Sequence, residues 1–198
     1  MVILWALVLS FLVGCTPTLE TSTEDTPEDS ATFIEEEEPV LGIYVTDDCG
    51  QAVGASVCEM VLKDQNDEIW SLHALKGNVI VLDFSAMWCG PCQSAASTVQ
   101  QTQDDYESQG FNYITVLIDD PTADTVELDE AQGWADTHGI QTTAVLQGNR
   151  DLIDYTALAG YPVASWPTFV FIDRDLNVHW GIYGFNEEYI REQIEEML

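Results

Sequence analysis

Positive charge is what this chain has least of: lysine and arginine together number 5 in 198 residues, against 35 aspartates and glutamates, for a formal net charge of −30 at pH 7. Binding a nucleic acid backbone requires a basic surface that displaces condensed counterions, and anionic lipid headgroups require the same sign. The composition therefore excludes both as expected partners. Histidine is scarcer still, with three residues. His73, His138 and His179 are scattered without the close spacing of metal ligands, so they read as structural or surface residues and no metal is expected. Long apolar runs are also missing. The longest, Met1 to Val13, falls short of the roughly 20 residues that cross a bilayer.

What remains is 46% apolar, enough for one core of ordinary domain size. The acid excess reads as the solubilising surface of a secreted protein, one on which a partner with a basic rim would gain association rate.

The apolar run ends in Leu12-Val13-Gly14-Cys15. This order resembles the lipobox of bacterial lipoproteins, although only the terminal amine supplies positive charge at its start. The resemblance implies a signal peptide over residues 1–14, lipidation of Cys15 and a place in the bacterial cell envelope, with the membrane reached through a lipid anchor. Residues 15–40 then read as a tether: Thr16 to Pro39 hold nine acids, including Glu35 to Glu38, and no base. Such a segment buries too little apolar surface to offset the entropy of ordering it.

The folded domain is expected over residues 41–198. Gly42 to Val45, Val57 to Lys63 and Glu68 to Leu72 read as short strands forming an N-terminal β extension. Within it, Cys49 and Cys58 are separated by eight residues and flank a Gly-containing turn. In an oxidising compartment such a pair reads first as a structural disulfide. A second redox pair remains open, as does a zinc site completed by Cys89 and Cys92. The latter is disfavoured because zinc ribbons use two close-spaced pairs.

The chemistry centres on Trp88-Cys89-Gly90-Pro91-Cys92, which follows the apolar run Val79 to Phe84. A continuous apolar strand is buried on both faces. After it, Gln93 to Gln109 reads as a helix closed by Gly110. Phe111 to Asp119 reads as a strand, Val126 to His138 as a helix, Thr142 to Leu146 as a strand and Asp151 to Ala159 as a further helix. Thr168 to Ile172 and Val178 to Tyr183 read as a hairpin, and a last helix starts at the cap Asn186. Strand and helix in alternation predict an α/β sheet covered on both faces.

From about Val57 to the C-terminus the sequence resembles the thioredoxin superfamily, and more narrowly its TlpA-like membrane-anchored branch. The residues that carry the likeness are the strand-WCGPC-helix unit, Trp166-Pro167-Thr168 ahead of the strand ending in Asp173, and the closing hairpin and helix. It implies a central mixed sheet flanked by helices, with an inserted strand-helix unit inside the 74 residues between Cys92 and Pro167. It implies Cys89 as nucleophile at the helix N-terminus, Cys92 as resolving thiol, Asp83 as buried proton acceptor, and Pro167 as a cis-proline beside the disulfide. Trp88, Gly90, Pro91 and Trp166 would support the substrate groove. Gln93, Ser85 and Thr115 stand where relatives carry a basic residue, tryptophan and lysine respectively.

The function implied is thiol–disulfide exchange on protein substrates by a monomer. Its only redox group would be its own disulfide, and its electrons would come from a membrane-embedded donor. Gly-Pro between the cysteines resembles the reducing end of the superfamily. An oxidase or isomerase would use the same residues. A peroxidase would want a Pro-x-x-x-Thr-x-x-Cys loop, which is absent. A module without turnover, holding a partner or handing over Cu(I) from two soft thiolates, is the reading from another class.

Overall fold

The computed structural model describes residues 39–198; the expected signal peptide, Cys15 and the tether up to Glu38 lie outside the described residues. The chain enters through three short strands, β1 (Gly42–Tyr44), β2 (Glu59–Lys63) and β3 (Ile69–Ser71), paired antiparallel in that order. The main sheet follows: β4 (Val79–Ala86), β5 (Phe111–Asp119), β6 (Val145–Gln147), β7 (Thr168–Ile172) and β8 (Val178–Tyr183). Its spatial order is β6-β5-β4-β7-β8, parallel from β4 to β6 and antiparallel through β7 and β8. The helices are α1 (Gly90–Tyr106), α2 (Leu128–His138) and α3 (Glu187–Met197).

Why β4 lies at the centre follows from its residues. All eight are buried, so the strand needs cover on both faces. Side chains alternate across a strand. Val79 and Val81 join α1 residues Ala95, Ala96 and Val99, together with Trp134 of α2 and Ile190 and Ile194 of α3. Ile80, Leu82 and Phe84 point the other way, onto Met60, Leu62, Leu72, Tyr161 and Val163. The three helices thus cover one face, and the small sheet with the loops before β7 covers the other. Each large side chain buried this way contributes roughly 1.5–3 kcal/mol.

Local signals set the helix ends. Asn186 accepts the Tyr189 N–H as the α3 cap. Glu127 and Glu130 form a reciprocal capping box on α2. After α1 a single 3-10 turn, Glu107–Gln109, ends on Gly110, whose φ of 78° is a conformation that a side chain would strain.

Two sequence expectations are corrected. The helix expected over Asp151 to Ala159 is a 3-10 turn, Arg150–Leu152, followed by irregular chain. The Asp154 carboxylate accepts hydrogen bonds from Thr156 N–H, Thr156 Oγ1 and Ala159 N–H, offering the backbone a turn in place of a helix. The strand expected at Thr142 to Leu146 lies further on, at Val145–Gln147. Gln100 Oε1 instead takes the Gln141 and Thr142 N–H groups, holding that stretch against α1.

Candidate active site

β4 ends at Ala86, and the chain turns through Met87 and Trp88 into α1. Three hydrogen bonds pin this turn: Met87 N–H to the Asp119 carbonyl at 2.9 Å, Cys89 N–H to the Ala86 carbonyl at 3.0 Å, and Gln93 Nε2 to the Met87 carbonyl at 2.9 Å. Cys89 is the N-cap of α1, and its Sγ accepts the Cys92 N–H at 3.3 Å. Gly90 and Pro91 occupy the first turn, where the missing proline N–H would have had no intrahelical partner. A side chain at position 90 would meet only open space. Both cysteines are free thiols. Both are buried, but Cys89 keeps 5% of its surface exposed whereas Cys92 keeps none.

Behind Cys92 lies a buried polar group. Asp83 is fully buried in the middle of β4; it accepts the Ser85 hydroxyl at 2.7 Å and the Tyr113 hydroxyl at 3.3 Å. Burial outweighs these two hydrogen bonds and raises the Asp83 pKa to about 7. Burial is also the main reason why the Cys92 thiol is pushed well above its ordinary range; its hydrogen bond with Cys89 and the Asp83 charge add to this, while Ser85 and the Ala86 backbone oppose it. Tyr113, buried beside Asp83, is raised too. Thr115 pairs with Asp83 across β4 and β5, and its buried Oγ1 has no hydrogen-bond partner among the described residues.

The rim of the site is aromatic. Trp88, half exposed, meets Trp166 edge to face with ring centroids 6.4 Å apart. The Trp166–Pro167 peptide is cis, Pro167 is buried, and its carbonyl accepts the Gly184 N–H at 2.8 Å. Trp88 Nε1 donates to Asp119 Oδ2 at 3.3 Å. Arg150 holds the same carboxylate through Nε at 2.8 Å and its terminal nitrogen at 2.7 Å. The N-terminal pair, Cys49 and Cys58, is joined in a disulfide, which occupies two of the four sulfurs a zinc site would need. Among the described residues no cluster of three or more His, Cys, Asp or Glu could hold a metal ion.

The fold thus brings together Asp83, Trp88, Cys89, Gly90, Pro91, Cys92, Trp166 and Pro167, and leaves the Cys49–Cys58 bridge in the small-sheet region. Sequence reasoning missed Tyr113, Asp119 and Arg150 as site residues. Strand alternation from Asp83 through the adjacent β5 could have suggested Tyr113. Arg150 carried a weaker signal, as one of only five basic residues.

A strand-to-helix CxxC with one shielded sulfur, on a mixed sheet closed by a hairpin and helix, defines a thioredoxin-like thiol–disulfide oxidoreductase. The AhpC/TSA family model matches residues 53–180, and the chain belongs to that family. It is 26% identical over 145 residues to the thiol-disulfide oxidoreductase ResA of Halalkalibacterium halodurans, covering 72% of this chain and 75% of that protein. Among solved structures it is similar to a thioredoxin-family thiol:disulfide interchange protein from Chlorobium tepidum, with a TM-score of 0.56, 23% identity, and coverage of 77% of this chain and 98% of that one. The exposed lipoprotein thioredoxin Etrx1 of Streptococcus pneumoniae gives a TM-score of 0.54 and 22% identity, over 70% of this chain and 98% of that one. At these identities the two structures speak to the fold.

Proposed function

We propose that this protein is an extracytoplasmic reductase of protein disulfides, held at the bacterial cell envelope by a lipid on Cys15 and acting as a monomer. The observation that carries the chemistry is the asymmetry of the dithiol. Cys89 caps α1 with a backbone N–H donating to its sulfur, whereas Cys92 is buried one turn further on beside Asp83.

Cys89 attacks a substrate disulfide, and the helix N-terminus stabilises negative charge on its sulfur. One substrate sulfur leaves as thiolate while the other stays bonded to Cys89. Cys92 then attacks Cys89 Sγ, freeing the second substrate sulfur and closing the Cys89–Cys92 disulfide. Two electrons pass from enzyme to substrate, and a membrane-embedded thiol donor returns them. The dithiol carries both electrons, so the cycle uses no other cofactor. Because burial keeps Cys92 protonated at neutral pH, its attack needs a base, and Asp83 is the buried group able to serve.

Trp88 and Trp166 form the aromatic rim against which a substrate chain would lie, with Pro167 behind them, and the open space at Gly90 lets its backbone approach. The order Leu12-Val13-Gly14-Cys15 and the acidic tether support envelope anchoring. The reducing direction rests on Gly-Pro between the cysteines.

The test is the equilibrium reduction potential of the full chain in mild detergent, titrated with glutathione or dithiothreitol. A value near −270 mV or lower supports the reductase, and one near −120 mV reassigns the protein as an oxidase. No reversible two-electron couple at Cys89 and Cys92 would remove the redox reading.

A further inference from the structure

β8 is an outer strand of the main sheet, and its edge is only half covered. At its start, the Val178 N–H donates to the Ala55 carbonyl at 2.9 Å and the Val178 carbonyl accepts the Gly54 N–H at 2.7 Å. Ser56 pairs antiparallel with Asn177, so residues 54–56 run along this end as a short added strand. At the other end, the Gly184 N–H reaches the Pro167 carbonyl at 2.8 Å. Alternate residues of an antiparallel pair face the partner strand. The pairs Phe169–Ile182 and Phe171–Trp180 are therefore turned inward, and Gly181 and Tyr183 turn their N–H and C=O groups to the open edge. No hydrogen bond to these groups is formed among the described residues. The strand reads Val-His-Trp-Gly-Ile-Tyr, without the proline, lysine or inward charge that normally blunts an exposed edge.

A cavity of about 300 Å³ lies beside this edge, between Gln51 and Val53 on one side and Thr168, Val170, Gly181 and Tyr183 on the sheet. No residue lining it carries a charge. Gln51 is 2% exposed, yet neither its amide nitrogen nor its amide oxygen has a partner among the described residues. A buried donor and acceptor left unmade together are costly, and a peptide group supplies the complement of both at once. The site adjoins the reacting centre, because Tyr183 pairs with Thr168, the residue that follows Pro167.

We propose that the open edge of β8 and the cavity beside it dock an extended segment of the protein substrate, with apolar side chains turned inward and basic ones turned to solvent. This rests on the reading of the protein as a reductase of protein disulfides. The segment adds to the sheet as a strand, taking up the line of residues 54–56 where that short strand ends. Its main chain pairs with Gly181 and Tyr183, and its apolar side chains fill the uncharged cavity, where Gln51 meets a peptide group. Side chains alternate along a strand, so every second residue faces solvent. There the formal charge of −30 favours lysine or arginine. The same charge sets two copies of this chain against each other, which disfavours edge-to-edge pairing of β8 with a second β8.

The experiment uses the reduced full chain in mild detergent and short peptides that alternate lysine and valine. Each peptide carries a cysteine at one end or the other, activated as a thiopyridyl disulfide. Attack by Cys89 releases coloured thiopyridone, and its rate against peptide concentration gives a half-saturation value. Dipyridyl disulfide, which has no chain to add, is the reference in every protein. Main-chain bonds alternate along a strand as side chains do. N-methylating one alternate set of peptide amides should therefore raise half-saturation about tenfold, through loss of two hydrogen bonds, and the other set should not. Gln51→Leu keeps the bulk and removes the amide, and should weaken the peptide about fivefold relative to the reference. A glutamate–valine peptide should bind more weakly than the lysine one, by a margin that shrinks as salt is added.

Equal half-saturation for the parent peptide and both methylated sets would overturn the docking site while leaving the chemistry at Cys89 intact. A chain that sediments as a dimer which the peptides do not dissociate would give the edge to a second copy, and overturns it too. If neither the peptides nor dipyridyl disulfide react with Cys89, the reductase reading itself fails and takes the docking site with it. Should Gln51→Leu not fold, the methylated peptides read the edge in the native protein.

Discussion

Arg150 grips Asp119 with two hydrogen bonds, 2.8 and 2.7 Å long, while the same carboxylate receives the Trp88 indole N–H at 3.3 Å. The Asp119 side chain is 1% exposed, so its charge is sustained by a guanidinium that is itself largely in solvent. The fork fixes the plane of the carboxylate, and the carboxylate fixes the tryptophan that precedes the attacking cysteine. A chain with five basic residues has thus placed one of them beside its active site.

Replacing Arg150 with methionine removes the fork and leaves Asp119 to be held by Trp88 alone. The expected outcome is a protein with the same reduction potential but about a tenfold slower attack by Cys89, since small misplacements near the chemistry cost one to two decades. Rapid-mixing kinetics with a disulfide probe measure the rate, and Trp88 fluorescence quenching should rise as the ring loosens. Native rates with unchanged fluorescence would count against the positioning role.

Asp83 sets a pH dependence whose sign can be worked out. Its pKa is raised from 3.8 to about 7 in the folded chain. Between these values the native state binds more protons than the unfolded state, so the Asp83 contribution makes stability fall as pH rises, and the full cost of burying the charge is present above pH 7. A shift of this size corresponds to about 4 kcal/mol. Asp83→Asn should therefore be more stable than native reduced protein at pH 8, by an amount approaching that figure, and nearly equal to it at pH 4. Urea unfolding at the two pH values checks this, and a stability difference that does not change with pH would contradict it.

The bridge between Cys49 and Cys58 predicts a purely structural effect. A loop of this length, closed in the unfolded chain, contributes about 2–3 kcal/mol. The Cys49→Ser, Cys58→Ser double variant should lose that much stability while Cys89 and Cys92 keep their reduction potential. Denaturant unfolding and redox titration separate the two quantities. A changed potential would make the bridge a second redox pair.

The frame and the reacting atoms were legible because their signals are local. Val79 to Phe84 is an uninterrupted apolar run that only a central strand uses, and Cys89, Pro91 and Cys92 encode a helix N-terminus at fixed spacing. Asn186 and Gly110 mark helix ends through their own side chain or its absence. The segment after Arg150 was misread as a helix because the deciding feature is a single carboxylate, Asp154, turning back on Thr156 and Ala159. The links to Trp88 and Asp83 were hidden for a different reason. Asp119 reaches Trp88 and Arg150 across 31 residues in either direction, and Tyr113 reaches Asp83 across 30, distances set by sheet register. Ser85 was visible as a departure from relatives, but its hydrogen bond to Asp83 required the fold.

The dithiol's asymmetry makes the last prediction the most discriminating one in cells. If Cys89 attacks first and Cys92 resolves, Cys92→Ser halts the reaction after the substrate has become covalently attached. Serine cannot displace the second sulfur, so the adduct persists until an outside thiol removes it. Cys89→Ser removes the thiol of the only one of the two cysteines that keeps any exposure, and leaves Cys92, fully buried, unable to meet a protein disulfide. The Cys92→Ser variant should therefore accumulate disulfide-linked complexes that vanish on reduction, whereas Cys89→Ser and the double variant should not. Alkylation of growing cells followed by non-reducing electrophoresis reads this directly, and the partners released on reduction would be the substrates. Complexes formed equally well by Cys89→Ser would reverse the order of attack, and their absence from all variants would point to a substrate other than a protein disulfide.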